Sequence, residues 1–444
     1  MVTEEKKKAI NRLAVTRDFR ALVDKMYLDG IEAYRAGTPT AWAMVNWWQG
    51  ESILKAMGVV IVYPENFGAA CAADGAAEAY LERCEAEGFP SHLCGYGRNS
   101  LGYTATMMEL GEIPAGAPLG GMDKPLLLLG SGAFCDARYK WFQALGKYMD
   151  VPVWVLEFPT PGVKESALEG VYEYTIKFIV KELREFVAFA ERLLGKKLDW
   201  DKLSEVVDNV EQVIQVWHEA NELRKAVPGP MHSRDFWTCM VPCYYMAGEK
   251  ESLEVYRKLY DEVKQRVDSG IGAIADEKYR MLFADLPPWH SLKFFDPLAE
   301  MGWNFVIESI LYHPPLPLDL SGVSDPLERI ARYTYQVLAG RYHGALKAGE
   351  ETSAQVYPYL EWARDYKCDG ALLHPLLSCR TASFYLMHAR ERLMESLKVP
   401  SLVVEGDIVD LKVFDQAQAL NQAEAFNETM EHYKKVRKEE GLEW

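Results

Sequence analysis

Eight cysteines are the residues of this 444-residue chain whose chemistry could be distinctive: Cys71, Cys84, Cys94, Cys135, Cys239, Cys243, Cys368 and Cys379. A thiol can be a buried small hydrophobe, a metal ligand or a nucleophile, and burial is its commonest fate. Three of the eight stand apart by position. Cys135 follows an apolar run at 125–129 and the turn Gly130-Ser131-Gly132, and it opens a helix that carries Trp141 and Phe142. Cys379 holds the matching place after the run 370–374, ahead of a helix that starts near Thr381. Cys94 lies in the Gly-rich stretch Cys94-Gly95-Tyr96-Gly97-Arg98-Asn99, before a helix over 100–110. Open parallel sheets bind ligands beyond the carboxyl ends of their strands. Unpaired amides at a helix start favour a thiolate, and the thiolate is the form that ligates iron. Cys94, Cys135 and Cys379 are therefore the candidate metal and cofactor ligands. Their spacing makes no compact motif; the shared strand-to-helix position carries the inference.

The other five fit the core. Cys239 and Cys243 are four apart on a predicted helix with Trp237, Met240, Val241 and Tyr244, and Pro242 lies between them. Cys71 and Cys84 fall on helical stretches, and Cys368 precedes a strand instead of following one. No paired C-x-x-C knuckle is present to bind zinc. In a large chain without a secretory leader, disulfides are not expected. The sequence lacks a G-x-x-x-x-G-K-[ST] loop, a G-x-G-x-x-G turn and a G-x-S-x-G elbow, which argues against P-loop ATP binding, Rossmann dinucleotide binding and serine hydrolysis. His374 ends a strand and His92 precedes Cys94, so either could line a cleft; a structural role is the commoner outcome. Trp47 and Trp48 end the first apolar run and could wall a planar substrate or fill the core.

What must position these residues is a set of short apolar runs. Four occur early, at 42–47, 58–63, 125–129 and 151–157, and four late, at 280–284, 304–309, 370–374 and 401–405. None alternates strictly, as expected of strands covered on both faces in a parallel sheet. Helices are predicted between them, at 76–87, 138–149, 326–338 and 381–397. The middle of the chain has helical periodicity over 164–195 and from 201 to the prolines Pro228 and Pro230, then at 235–246 and 252–267. The pattern predicts two doubly wound α/β lobes and a helical segment, with boundaries 1–163, 164–270 and 271–444.

Composition narrows the function. The chain is 49% hydrophobic and 26% charged, ample for large cores. Its net charge of −16 argues against nucleic-acid or anionic-membrane partners. The first eight residues are charged and lack the apolar core of a signal peptide, and no run approaches the ~18 apolar residues of a membrane span. A soluble, cytoplasmic protein is expected.

Several segments together carry a family likeness. Tyr63-Pro64-Glu65-Asn66, Leu93-Cys94-Gly95-Tyr96-Gly97-Arg98, Phe134-Cys135-Asp136, and Asp369-Gly370-Ala371 through Ser378-Cys379-Arg380 resemble, in order, the benzoyl-CoA reductase and 2-hydroxyacyl-CoA dehydratase family. The resemblance implies two flavodoxin-like lobes with a 4Fe–4S cluster in the cleft, held by Cys94, Cys135 and Cys379, with one iron left open to water or substrate. It also implies a heterodimer with a homologous cluster-bearing subunit, fed by a separate ATP-hydrolysing iron–sulfur protein. The implied chemistry is single-electron reduction of an acyl-CoA thioester to a ketyl radical. Within the family, the length and look of the motifs favour the larger subunit of an ATP-dependent benzoyl-CoA reductase. A subunit of an (R)-2-hydroxyacyl-CoA dehydratase is the runner-up, and a double-cubane-type reductase stays open. Outside the family, a non-enzymatic two-lobed binding protein and an electron-relay subunit are the alternatives.

Overall fold

Every apolar run lands in a strand. In a computed structural model that describes residues 9–133, 135–309, 315–347, 349 and 356–444, eight strands form two parallel sheets. They are β1 (Thr40–Ala43), β2 (Val60–Val62), β3 (Leu127–Ser131), β4 (Val153–Leu156), β5 (Tyr279–Ala284), β6 (Trp303–Glu308), β7 (Gly370–Leu373) and β8 (Ser401–Val403). The charged stretch before residue 9 and Phe134 lie outside the described residues.

The orders are β2-β1-β3-β4 and β6-β5-β7-β8, so the two sheets repeat one topology. Parallel neighbours need crossovers, and helices supply them. Residues of β1, β3, β5, β6 and β7 are buried throughout, which is why these segments are apolar without alternating. Each order reverses once, between β1 and β3 and again between β5 and β7. Those are the points where an open sheet parts its loops to make a crevice. The expected fold of two flavodoxin-like doubly wound lobes is the fold observed.

Between β4 and β5 the chain is helical. Val171–Leu194 packs on Pro326–Lys347, and Trp200–Glu222 packs on Lys250–Asp268. Asp199 starts the second of these by accepting the Lys202 amide at 3.0 Å, as an N-cap does. The helix Ser233–Tyr245 carries Trp237 into an aromatic group with Phe283 and Phe295, at ring separations of 5.1 and 4.9 Å. That contact ties the helical run to β5. No helix among the described residues is long and apolar enough to cross a membrane.

Three boundaries differ from expectation, each for a local reason. The first run leaves the sheet after Ala43, because Trp47 and Trp48 adopt φ of 50° and 68° and start the helix Gln49–Ala56. The helix predicted over 100–110 begins at Gly95, which makes Cys94 its N-cap. The helix predicted over 381–397 divides into Arg380–Ser383 and Leu386–Leu397. Ser383 turns its hydroxyl back to the Cys379 carbonyl (2.8 Å) and accepts the Leu376 amide (2.9 Å), drawing the first turn onto the preceding loop.

Candidate functional site

Cys135 and Cys379 lie in the loops after β3 and β7, the central strands at the two reversal points, and Cys94 lies in the connection between the helices Ala77–Ala86 and Gly95–Leu110. Cys135 follows β3 and caps the helix Asp136–Met149; Cys379 follows β7 and caps Arg380–Ser383; Cys94 caps Gly95–Leu110. Each is partly exposed, while Cys71, Cys84, Cys239, Cys243 and Cys368 are buried. The separation predicted from strand-to-helix position thus coincides with a separation in exposure.

Two close approaches bring the capped ends together. A side chain on Gly97 would stand 2.3 Å from Trp141, so only glycine lets the Cys94 helix lie flat on the Cys135 helix. Across the cleft the Gly95 amide donates to the Ser378 hydroxyl at 3.1 Å, linking the residues next to Cys94 and Cys379. The three thiols are near enough for charge on Cys379 and Cys135 to raise the pKa of Cys94, and for charge on Cys135 to raise that of Cys379.

The expectation that helix starts leave these thiols acidic is not met. Burial is the largest influence on all three and pushes each upward, Cys379 to about 12. The amides of Tyr96 and Gly97 near Cys94, Arg138 near Cys135 and Ala382 near Cys379 pull downward but do not prevail. Burial outweighs the helix ends at all three, and at Cys94 and Cys379 charge on another cysteine adds to it.

Sequence reasoning missed the polar groups around them. The Arg138 guanidinium lies 5.2 Å over Trp47, bonds to the Val45 carbonyl and pairs with Glu65 at 3.3 Å. Glu65 also accepts the Val45 amide at 3.0 Å. Arg138 lowers the Cys135 thiol and Glu65 raises it. Both were within reach of a sequence argument: Arg138 is in the first turn after Cys135, and Glu65 belongs to the Tyr63-Pro64-Glu65-Asn66 segment. Beside Glu65 opens a cavity of about 290 Å³, lined among others by Tyr96, Trp237, Met240 and Trp289. The Trp289 indole donates to the Tyr96 hydroxyl at 2.6 Å, fixing one wall.

Other candidates belong to the framework. Trp47 and Trp48 are buried, and Trp48 stacks on Tyr244 while donating to the Cys243 carbonyl at 2.7 Å. They wall the core and not that cavity. His374 is buried against Phe283 and Phe414, its Nδ1 2.7 Å from the Val404 carbonyl, and burial holds its pKa down at about 4. His92 is exposed on the turn before Cys94.

Glu51 was also unforeseen. It is buried in the first turn of Gln49–Ala56 and accepts the Asn46 amide at 2.8 Å, and burial raises its pKa from 4.5 to about 7. The folded chain therefore keeps a proton that the unfolded chain has lost. Stability is greatest below the unfolded value and declines as pH rises from about 4.5 to about 7, by up to about 3 kcal/mol. Denaturant unfolding at pH 5 and pH 8 should show that decline, and Glu51→Gln should remove it. An unchanged slope in the variant would exclude Glu51 as its source.

Among the described residues, no three His, Cys, Asp or Glu side chains are placed to hold a single metal ion.

Residues 47–430 match the family described as "2-hydroxyglutaryl-CoA dehydratase, D-component". The chain belongs to this family. Its relatives match over most of the chain at low identity. The alpha subunit of (R)-phenyllactyl-CoA dehydratase from Clostridium sporogenes is 25% identical over 96% of this chain and 98% of its own length. The alpha subunit of (R)-2-hydroxyglutaryl-CoA dehydratase from Acidaminococcus fermentans is 22% identical over 93% and 96%. A benzoyl-CoA reductase subunit from Thauera aromatica is 26% identical over 77% of each chain. Membership makes the protein an enzyme subunit of a CoA-ester dehydratase and reductase group. The preference for a reductase gains a relative of that name, whereas the relatives matched over more than nine-tenths of the chain carry dehydratase names.

Proposed function

We propose that this chain is the cluster-bearing subunit of an anaerobic acyl-CoA enzyme, acting on a 2-hydroxyacyl-CoA thioester with a 4Fe–4S cluster held by Cys94, Cys135 and Cys379. The observation that carries this is the set of three partly exposed cysteines, each capping a helix and each within electrostatic reach of another, while the other five are buried. The thiols suit such a guest: burial holds them protonated when alone, with charge on a neighbouring cysteine adding to it at Cys94 and Cys379, and a bound cationic cluster would favour their thiolate forms. When bound, the cluster supplies single low-potential electrons and an open iron for a substrate oxygen. Around it this chain contributes shape and shielding. Tyr96, two residues after Cys94, shares with Trp237, Met240 and Trp289 the wall of a cavity that could receive an acyl group, whose lining also includes Arg20, Asp24 and Glu65. The Arg138–Glu65 pair ties the helix after Cys135 to the loop after β1.

Partner chains belong to the proposal: a second homologous subunit and an ATP-hydrolysing iron–sulfur electron donor. The subunit names of the relatives support a partner chain. Leu377 and Phe384, 71% and 77% exposed on either side of Cys379, are apolar surface that an assembly would cover. Benzoyl-CoA reduction is the second reading, favoured by the aromatic chamber and the Thauera relative.

Turnover by the purified, air-free complex with ATP and a strong reductant decides between them. Conversion of an (R)-2-hydroxyacyl-CoA with far fewer electrons than product molecules is the expected result. Two electrons consumed per benzoyl-CoA would establish the reductase. An iron-loaded complex that turns over neither thioester would defeat both.

A further inference from the structure

The residues that join the Cys94 loop to the Cys379 loop lie more than 300 positions away from Cys94 in the chain, in the turn after β8. Asp407, 1% exposed, uses both carboxylate oxygens. Its Oδ2 accepts the Ser378 amide at 3.0 Å, one residue before Cys379. Its Oδ1 accepts the amides of Val409 and Asp410 at 3.0 and 3.1 Å. From that turn two arms cross the cleft. The Ser378 hydroxyl takes the Gly95 amide at 3.1 Å, and the Asp410 carboxylate takes the Arg98 guanidinium at 3.2 Å. Gly95 and Arg98 are the first and fourth residues after Cys94, so the first turn of its helix is gripped at both ends. A side chain on Gly95 would stand 2.8 Å from Asp407 Oδ1, which shows how closely the two loops approach. His290 holds the turn from behind, with Nε2 3.0 Å from the Asp407 carbonyl.

We infer that Asp407 is a positioning residue for the cluster: by ordering Ser378 and Asp410 it sets Cys94 against Cys379 across the cleft. The inference rests on the reading that these cysteines hold iron. The chemistry is specific to a carboxylate. Three N–H donors converge on two acceptor oxygens, and an amide of the same shape would have to turn an N–H₂ toward one of them. A loosened clasp frees one ligand of three, so iron escapes more easily although the fold persists. Groups that orient ligands without touching metal are typically worth 10–100-fold in metal affinity.

The test is the rate at which a chelator removes iron from the anaerobic holoprotein, read with the low-temperature EPR spectrum of the reduced cluster. Asp407→Asn and Ser378→Ala should each release iron roughly ten- to a hundred-fold faster than wild type and alter the spectrum. The matched control is Asp369→Asn, at the opposite end of β7. Asp369 is a similarly buried acid that bonds Arg437 at 2.8 Å and the Arg280 amide at 3.0 Å within one lobe. Its variant should melt at a lower temperature yet release iron at the wild-type rate. Wild-type release rates in both clasp variants would overturn the inference, as would equal acceleration in the control. Should Asp407→Asn fail to fold, Ser378→Ala decides alone, since it removes only the acceptor of the Gly95 amide. A wild-type protein that never contains iron instead defeats the cluster reading, and this inference falls with it.

Discussion

Cys379→Ser should give a folded chain that retains little iron and turns over more than about 100-fold more slowly, a loss beyond that of groups which only orient ligands. The informative comparison is Cys368→Ser, eleven residues earlier. Cys368 has 0% exposure, and burial is the chief cause of its raised thiol pKa; the charges around it come from Arg280, Asp369, Arg437 and Glu277, and no other cysteine is among them. A hydroxyl there buries a polar group without a partner, at a cost of about 1–3 kcal/mol, and leaves iron content unchanged. Anaerobic iron assays and thermal melts on both variants separate the two roles. If Cys379→Ser keeps its iron while Cys368→Ser loses it, the assignment of ligand and core cysteine is reversed.

Arg224→Met should lower unfolding free energy by about 3–5 kcal/mol, the cost of leaving one member of a buried ion pair alone. Arg224 follows the helix Trp200–Glu222 and is 0% exposed. Its guanidinium forks onto both oxygens of Glu308 at the end of β6, bonds Asn221 at 2.9 Å and lies 5.0 Å from the Phe236 ring centre. The pair joins the helical run to the second sheet, so its loss acts far from the cysteines. Arg224→Met with Glu308→Leu should regain most of the stability, because an apolar pair of similar volume has no charge left stranded. Guanidinium unfolding of both variants is the measurement. A single variant within about 0.5 kcal/mol of wild type would show that the pair contributes nothing net.

Much of this architecture was legible in the sequence, because strands covered on both faces leave a signal that does not depend on partners. The run Leu127, Leu128, Leu129 had to be interior wherever the chain placed it. Cys135 and Cys379 were legible for the same reason: each follows such a strand and opens a helix. The acidity of those thiols was misjudged, since the helix end is local and visible in sequence, whereas the burial that outweighs it is made by both lobes together. Arg98 and Asp407 show the same limit. Nothing near Arg98 in sequence announces a carboxylate more than 300 positions away, and Asp407 in its turn looks like any capping aspartate. Glu51 was hidden because its environment is set by the positive φ of Trp47 and Trp48, residues whose bulk favours no such backbone. The break at Phe384 arose from a serine hydroxyl folding back, a choice no helical periodicity records.

The most direct test of iron held between the lobes is an anomalous difference map at the iron absorption edge, from crystals of this protein grown without oxygen. One compact peak is predicted in the cleft, of about four irons, within bonding distance of the Sγ atoms of Cys94, Cys135 and Cys379. A map without iron, or with iron on Cys239 and Cys243 instead, would contradict it.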